Sequence, residues 1–257
     1  MIRGAVLNDV GECPPPELDG VAIAEMLART MVHGATTAGS AGFVDAARWA
    51  ACLRSVDPFG IERREHRLAF WINVYNALAR HGLAALAVRR TVWEVWNFFG
   101  RVRYRVGGYT FSLDDIEHGV LRGNRARRLP PWPAFRRGDR RAVLAVVPPD
   151  PRIHFALNCG ARSCPPLAVY RAEQVDRQLD LATRSFLAQE VALEGDRIVC
   201  SKLLKWYRAD FAGPGGLASF LLDHLDDGPA RRALAAGAPP CAAFRPYSWT
   251  VGAGARR

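Results

Sequence analysis

Two thiols stand five positions apart in the run Asn158-Cys159-Gly160-Ala161-Arg162-Ser163-Cys164-Pro165-Pro166. A glycine loop placed after a strand and before prolines suited to a first helical turn is a natural seat for a nucleophile. Unpaired backbone donors at a helix start lower a thiol pKa from about 8.5 and raise the thiolate fraction. On this reading Cys159 attacks a carbonyl, with Cys164 as the second thiol of the site. The proton is taken and returned by His154, on the strand before the loop, or by His118 from a separate helix, because such groups meet in space rather than in sequence. Glu117, or an amide of the pair Asn73 and Asn76, orients the base, and backbone N–H groups near Gly160 stabilise the oxyanion. The rivals are a zinc site made of two cysteines and two histidines, a local disulfide, and a pair of inert buried thiols. The C-x4-C spacing matches no standard zinc ribbon or finger, so no metal and no cofactor are expected.

The elements that must bring these residues together follow from periodicity. Val21 to Val32 and Phe43 to Leu53 are expected to be helices, closed by a turn at Asp57-Pro58-Phe59-Gly60. Leu68 to Ala79 is apolar nearly all round and is therefore a buried helix. Asn73, Asn76 and Arg80 form its only polar stripe, and buried amides must be hydrogen-bonded, so they fasten a backbone or face a polar cavity. Arg101 to Val106 and Tyr109 to Phe111 make a hairpin about Gly107-Gly108. Ser112 and Asp115 resemble a capping box that opens a helix carrying Glu117 on its apolar face and His118 near its edge. The bland expectation for Glu117 is an arginine partner. Ala142 to Val147 and Arg152 to Leu157 are expected to be strands. A helix at Val175 to Phe186, a hairpin about Gly195-Asp196, a helix at Leu217 to Leu225 with His224 at the surface, and an edge strand within Ala242 to Trp249 complete the chain. The class is α+β: a helix-rich single domain over residues 20–257 with a small antiparallel sheet, behind an extended arm at residues 1–19.

Composition narrows the function. The chain has 257 residues and a net charge of +10, and Lys202 and Lys205 are its only lysines, so the basic excess is almost all arginine. Abundant alanine beside it is consistent with a codon bias. Eight arginines fall between Arg122 and Arg141 with Trp132 among them, a loop that could touch phosphates while the tryptophan stacks on a base, although a solvated loop is the commoner case. No run of about 18 apolar residues suggests a membrane span, and no signal peptide is visible at the start, so a cytoplasmic location is expected. Six cysteines are too sparse for a disulfide scaffold, which makes reduced thiols the default.

Several motifs recur together. Phe70-Trp71-Ile72-Asn73-Val74-Tyr75-Asn76-Ala77, Asp115-Ile116-Glu117-His118 with Leu121-Arg122, and Asp150 through Cys159 to Pro166 resemble the domain of unknown function 547 family. Lys205-Trp206-Tyr207 with Asp210-Phe211 resembles its downstream motif, and the likeness spans roughly Glu65 to Trp249. Tyr247-Ser248-Trp249 carries serine where the family usually has aspartate, which removes one candidate for orienting a histidine. The resemblance implies a fold similar to the papain-like cysteine peptidase group and a thiol site for small peptide-like or glutathione-like substrates. The resulting expectation is a thiol-dependent hydrolase or acyl-transferase acting on an amide or thioester, with Tyr75, Asn73, Asn76, Asn158 and Arg162 as substrate-binding candidates. The alternative is a non-catalytic domain that binds a peptide or thiol ligand.

Overall fold

The computed structural model describes residues 5–13, 18–33, 39–125 and 132–251 of the chain. Pro14, Pro15 and Pro16 of the expected arm, and residues 126–131 of the arginine loop, lie outside the described residues.

The chain is organised around one buried helix. Strand β1 (Ala5–Val6) leads to helices α1 (Gly20–His33) and α2 (Ala41–Cys52), the latter capped by the Ser40 hydroxyl accepting from the Phe43 N–H. Helix α3 (Arg64–Ala85) runs one turn further at each end than its apolar pattern, and Phe70, Trp71, Ile72, Val74 and Leu78 are all fully buried. Short helix α4 (Phe98–Arg101) feeds the hairpin of β2 (Val102–Val106) and β3 (Tyr109–Ser112). Strand β2 buries Val102, Tyr104 and Val106 and exposes the arginines between them, as period-two alternation demands. Ser112 and Asp115 exchange bonds, Asp115 Oδ2 accepting from the Ser112 N–H and Ser112 Oγ accepting from the Asp115 N–H, at 2.9 and 3.1 Å. The helix they open, Asp115–Leu121, is wound as a π-helix, and the Arg122 N–H closes a five-residue step onto the Glu117 carbonyl.

Beyond it lie α5 (Val175–Glu190), β4 (Ala192–Glu194), β5 (Arg197–Ser201), α6 (Lys202–Trp206), α7 (Gly216–His224), α8 (Pro229–Ala235) and β6 (Ala243–Arg245). The described residues form two apolar cores, one about α3 and the other about Phe155, Phe186, Leu204, Phe211 and Leu221. Residues 151–159 run along the seam: Ile153 and Ala156 belong to the first core, Phe155 to the second.

Helices and small sheets give the expected α+β class, with four local differences. The sheets are two three-stranded ones, β1-β2-β3 and β4-β5-β6, and both are mixed, because β1 runs parallel to β2 and β6 parallel to β5. The arm is docked: Asn8 is buried, its side chain donating to the Ala50 and Arg105 carbonyls and accepting from the Arg105 N–H. Neither Ala142 to Val147 nor Arg152 to Leu157 is a strand. Both begin at an aspartate, Asp139 and Asp150, whose carboxylate accepts from the N–H two residues on and from that residue's guanidinium, and this winds Arg140–Leu144 and Pro151–Phe155 into 3-10 turns. Local capping here overrides the strand preference of the valines and aromatics. Of Ala242 to Trp249 only Ala243–Arg245 pairs as a strand, and His224 is half-buried, its ring stacked on Phe220.

The expectation of reduced cysteines is also corrected. Cys13 is bonded to Cys52 and Cys200 to Cys241, leaving Cys159 and Cys164 as the free pair. The partners are 39 and 41 residues apart, so a count of cysteines cannot reveal which positions the fold brings together.

Candidate active site

The thiols sit where the seam segment turns. Asn76, on α3, donates to the Ala156 carbonyl and accepts from the Asn158 N–H at 3.0 and 2.8 Å, while Asn73 makes the same double bond with the backbone of Tyr170 at 2.7 and 2.9 Å. Both amides thus fasten backbone on either side of the thiol loop. Asn158 continues the work, its side chain donating to the Pro165 carbonyl and accepting from the Gly160 N–H. Gly160 has φ +88°, a left-handed conformation that a side chain would resist, and an added Cβ would run into Leu83. No helix follows Pro165 and Pro166; the chain has no regular secondary structure until Ala172, so the expected helix-start donors are not what acts on the sulfurs. The C-terminal segment instead pins the outside of the turn. Arg162 and Ser163 donate their N–H groups to the Thr250 and Ser248 carbonyls, and Ala161 bridges Val251.

Within this turn the sulfurs of Cys159 and Cys164 are 3.2 Å apart. Cys164 Sγ also lies 3.4 Å from the Cys159 N–H and 3.2 Å from the Tyr247 hydroxyl. The Cys159 thiol, opposed by burial but joined by the Tyr247 hydroxyl and two backbone N–H groups, lowers the Cys164 pKa to about 7. The pairing and burial push Cys159 the other way, well above an ordinary thiol. One sulfur is therefore disposed to carry the charge and the other to keep its proton.

Both thiols face a cavity of about 70 Å³, shared with Glu117, His154, Tyr207 and Trp206. Glu117 is buried, and the Tyr75 and Tyr207 hydroxyls donate to its two oxygens at 3.2 and 2.6 Å, which replaces the arginine partner expected from sequence. Burial raises its pKa, but His118, the Tyr207 hydroxyl, His154 and Arg122 outweigh that and hold it below the usual value. The tyrosines themselves are pushed up by burial and by this carboxylate.

The two histidines differ in their surroundings. His154 is buried; its Nε2 donates to Asp210 Oδ2 at 2.8 Å and its ring stacks on Tyr207 at 3.8 Å. His118 meets Arg122, which donates from Nη1 to Nδ1 at 2.7 Å, with Asp114 at 3.8 Å from Nε2. The expected strand through His154 is absent, so strand alternation does not decide which way its ring points relative to Cys159. Arg162 is exposed on the outer side of the turn.

Sequence reasoning missed Asp210. It is almost fully buried, accepts from Arg122 Nε and Nη2 at 2.5 and 3.0 Å, and is held far below the usual carboxylate range: burial opposes this, and His154 and Arg122 overcome it. A lone aspartate in a short motif gave no sign of which histidine it would meet. Ser248 makes no comparable bond, its hydroxyl donating to Thr250. Missed too was an aromatic wall in which Trp249 lies 4.9 Å from Trp93, 5.6 Å from Trp206 and 4.7 Å from Tyr247, ring centre to ring centre.

Three arginines of the Arg122 to Arg141 loop are committed to the fold: Arg122 and Arg125 to Asp210, and Arg141 to Asp139, Asp115 and the Thr110 carbonyl. Among the described residues no three His, Cys, Asp or Glu side chains group as they would around a metal ion, and no helix is long and apolar enough to cross a membrane.

The molecule is thus a helix-rich α+β protein with a dithiol at a small, aromatic-walled cavity. It belongs to the family described as "Protein of unknown function, DUF547", whose model matches residues 60–187. Neither the curated proteins nor the solved structures offer a match to the chain.

Proposed function

We propose that the protein is a thiol-dependent hydrolase or acyl-transferase acting on an amide or thioester of a small peptide-like substrate, with Cys164 rather than Cys159 as the nucleophile. The observation that carries this reading is the sharing of one cavity by a donor-stabilised Cys164 sulfur and an imidazole bound to a buried aspartate. The Cys164 thiolate adds to the carbonyl carbon. The amine or thiol leaves with a proton taken from water, and water or an acceptor then cleaves the acyl–sulfur bond. Asp210, ionised, can only accept, so His154 keeps its proton on Nε2 and has Nδ1 to take a proton from the acceptor and return it. The N–H groups of Cys159 and Ala161, which already favour negative charge at Cys164, are the nearest candidates for stabilising the oxyanion. Glu117, kept anionic, and Tyr75 shape the opposite wall.

The cavity is narrow. At about 70 Å³ it takes in the reacting end of a substrate rather than the whole of it. The rest of the substrate would lie along Trp249, which lines the cavity, and the exposed Trp93 beside it. The papain-like relationship implied by the family resemblance belongs to this proposal and draws its support from the same thiol loop and aspartate-bound imidazole. Two disulfides favour folding in an oxidising compartment over the reducing cytoplasm.

The test is turnover of small acyl thioesters and aminoacyl anilides by the protein with Cys159 and Cys164 reduced. Cys164→Ser should abolish turnover, and His154→Gln should lower kcat and displace the pH profile. If no such substrate turns over while Cys164 still titrates as a reactive thiol, the domain binds its ligand without transforming it.

A further inference from the structure

We propose that Cys159 and Cys164 also act as a dithiol–disulfide pair that exchanges with a small-molecule disulfide at the same cavity. The inference uses the thiols of the acyl-transfer reading but not its chemistry. Its basis is the placement of the sulfurs. They are 3.2 Å apart, and a disulfide bond is about 2.05 Å long, so closure requires a relative shift of only about 1.1 Å. The turn that carries them is held on both sides, by Asn76 and Asn158 from within and by residues 248–251 from outside, so the sulfurs stay face to face.

Their surroundings divide the labour. Cys164 is the more accessible of the two and accepts from the Tyr247 hydroxyl and the Cys159 N–H, which suits it to attack. Cys159 is buried and keeps its proton, which suits it to resolve a mixed disulfide. The other four cysteines are bonded to each other, and Cys52, Cys200 and Cys241 are buried away from the cavity, so this pair is the one set of thiols placed to meet a substrate.

The steps balance without a further reagent. The Cys164 thiolate attacks one sulfur of the substrate disulfide; a protein–substrate S–S bond forms, the substrate S–S bond breaks, and the first substrate thiolate leaves. Cys159 gives its proton to that thiolate and attacks Cys164 Sγ. The Cys159–Cys164 bond forms, and the second substrate sulfur leaves as a thiolate and takes a proton from water. The substrate disulfide is reduced by two electrons to two thiols, and the protein dithiol is oxidised by two.

Oxidised glutathione is the probe, added to the full chain with its two other disulfides intact and followed by intact mass and by released glutathione. The wild type should lose two hydrogens, keep no adduct and release two glutathiones per chain. Cys159→Ser should stop with one glutathione on Cys164. Cys164→Ser should react at least about tenfold more slowly, since its remaining thiol is buried. A stable glutathione adduct on the wild type would overturn the proposal. So would a native protein whose Cys159–Cys164 bond resists excess dithiothreitol. Thioester turnover separates the two ideas: exchange without acyl turnover supports this pair and sinks only the acyl-transfer reading, whereas acyl turnover without exchange sinks this one alone.

Discussion

Replacing Asp210 by asparagine removes the carboxylate to which both Arg122 and His154 bond directly. The side chains of Arg122 and Asp210 are 8% and 3% exposed, so the guanidinium left behind would be buried without its bonded counter-charge, with Glu117 as the remaining nearby carboxylate. Breaking a buried ion pair by removing one partner costs about 3–5 kcal/mol. In a chain of this size that corresponds to a fall in melting temperature of about 6–20 °C. The pH dependence has a defined sign. The Asp210 carboxyl is held below its unfolded pKa of 3.8, so its contribution is fully present above that value and is lost as pH falls toward the folded pKa. The difference between wild type and Asp210→Asn should therefore be largest near neutrality and shrink below about pH 4. Urea unfolding followed by tryptophan fluorescence, at a series of pH values, measures both features. A difference under about 1 kcal/mol at neutral pH would refute the claim that this pair is a buried, mutually dependent unit, and so would a difference that does not change with pH.

Tyr247→Phe removes a hydroxyl donor from Cys164; a hydrogen bond to a charged group is worth about 1.5–3 kcal/mol, so the midpoint of iodoacetamide alkylation against pH should rise by about one to two units, and an unchanged midpoint would rule out the hydroxyl as a stabiliser of the thiolate. Asn76→Ala leaves the Ala156 carbonyl and the Asn158 N–H without their partner and should destabilise the chain by about 2–6 kcal/mol, with faster amide exchange across 156–160 than elsewhere; uniform exchange would show that the amide does not hold the loop. Thiol titration of the denatured, unreduced protein should count two of the six cysteines, and a count of six would contradict both Cys13–Cys52 and Cys200–Cys241.

Where a residue's own period decided its place, the sequence was informative. The all-round apolar run on α3 announced burial, while the stripe of Asn73 and Asn76 left backbone fastening and substrate binding both open, and the bonds to residues 156, 158 and 170 are of the first kind. The hairpin about Gly107-Gly108 followed from alternation and turn chemistry. Arg152 to Leu157 misled for a physical reason: its residue types favour a strand, but Asp150 and Pro151 wind it locally, and a six-residue window does not say which preference wins. The pairing of His154 with Asp210 crosses 56 positions and depends on two cores meeting at one seam, which no local pattern encodes. Cys159 drew attention through its motif. Of the donors that distinguish it from Cys164, the hydroxyl arrives from Tyr247, 83 residues beyond the second thiol.

That distance has a consequence for the order in which the site becomes live. The thiol loop, Glu117 and His154 are all translated before Asp210, Tyr207 and Tyr247. A chain emerging from the ribosome with its two thiols already made lacks the hydroxyl that favours the Cys164 anion and the carboxylate that fixes the imidazole. Such a chain has only the local partners of Cys164, the Cys159 thiol and two backbone N–H groups, until residues 207–247 dock. Substitutions in the stretch after residue 187 can likewise retune the sulfur without touching the loop that bears it.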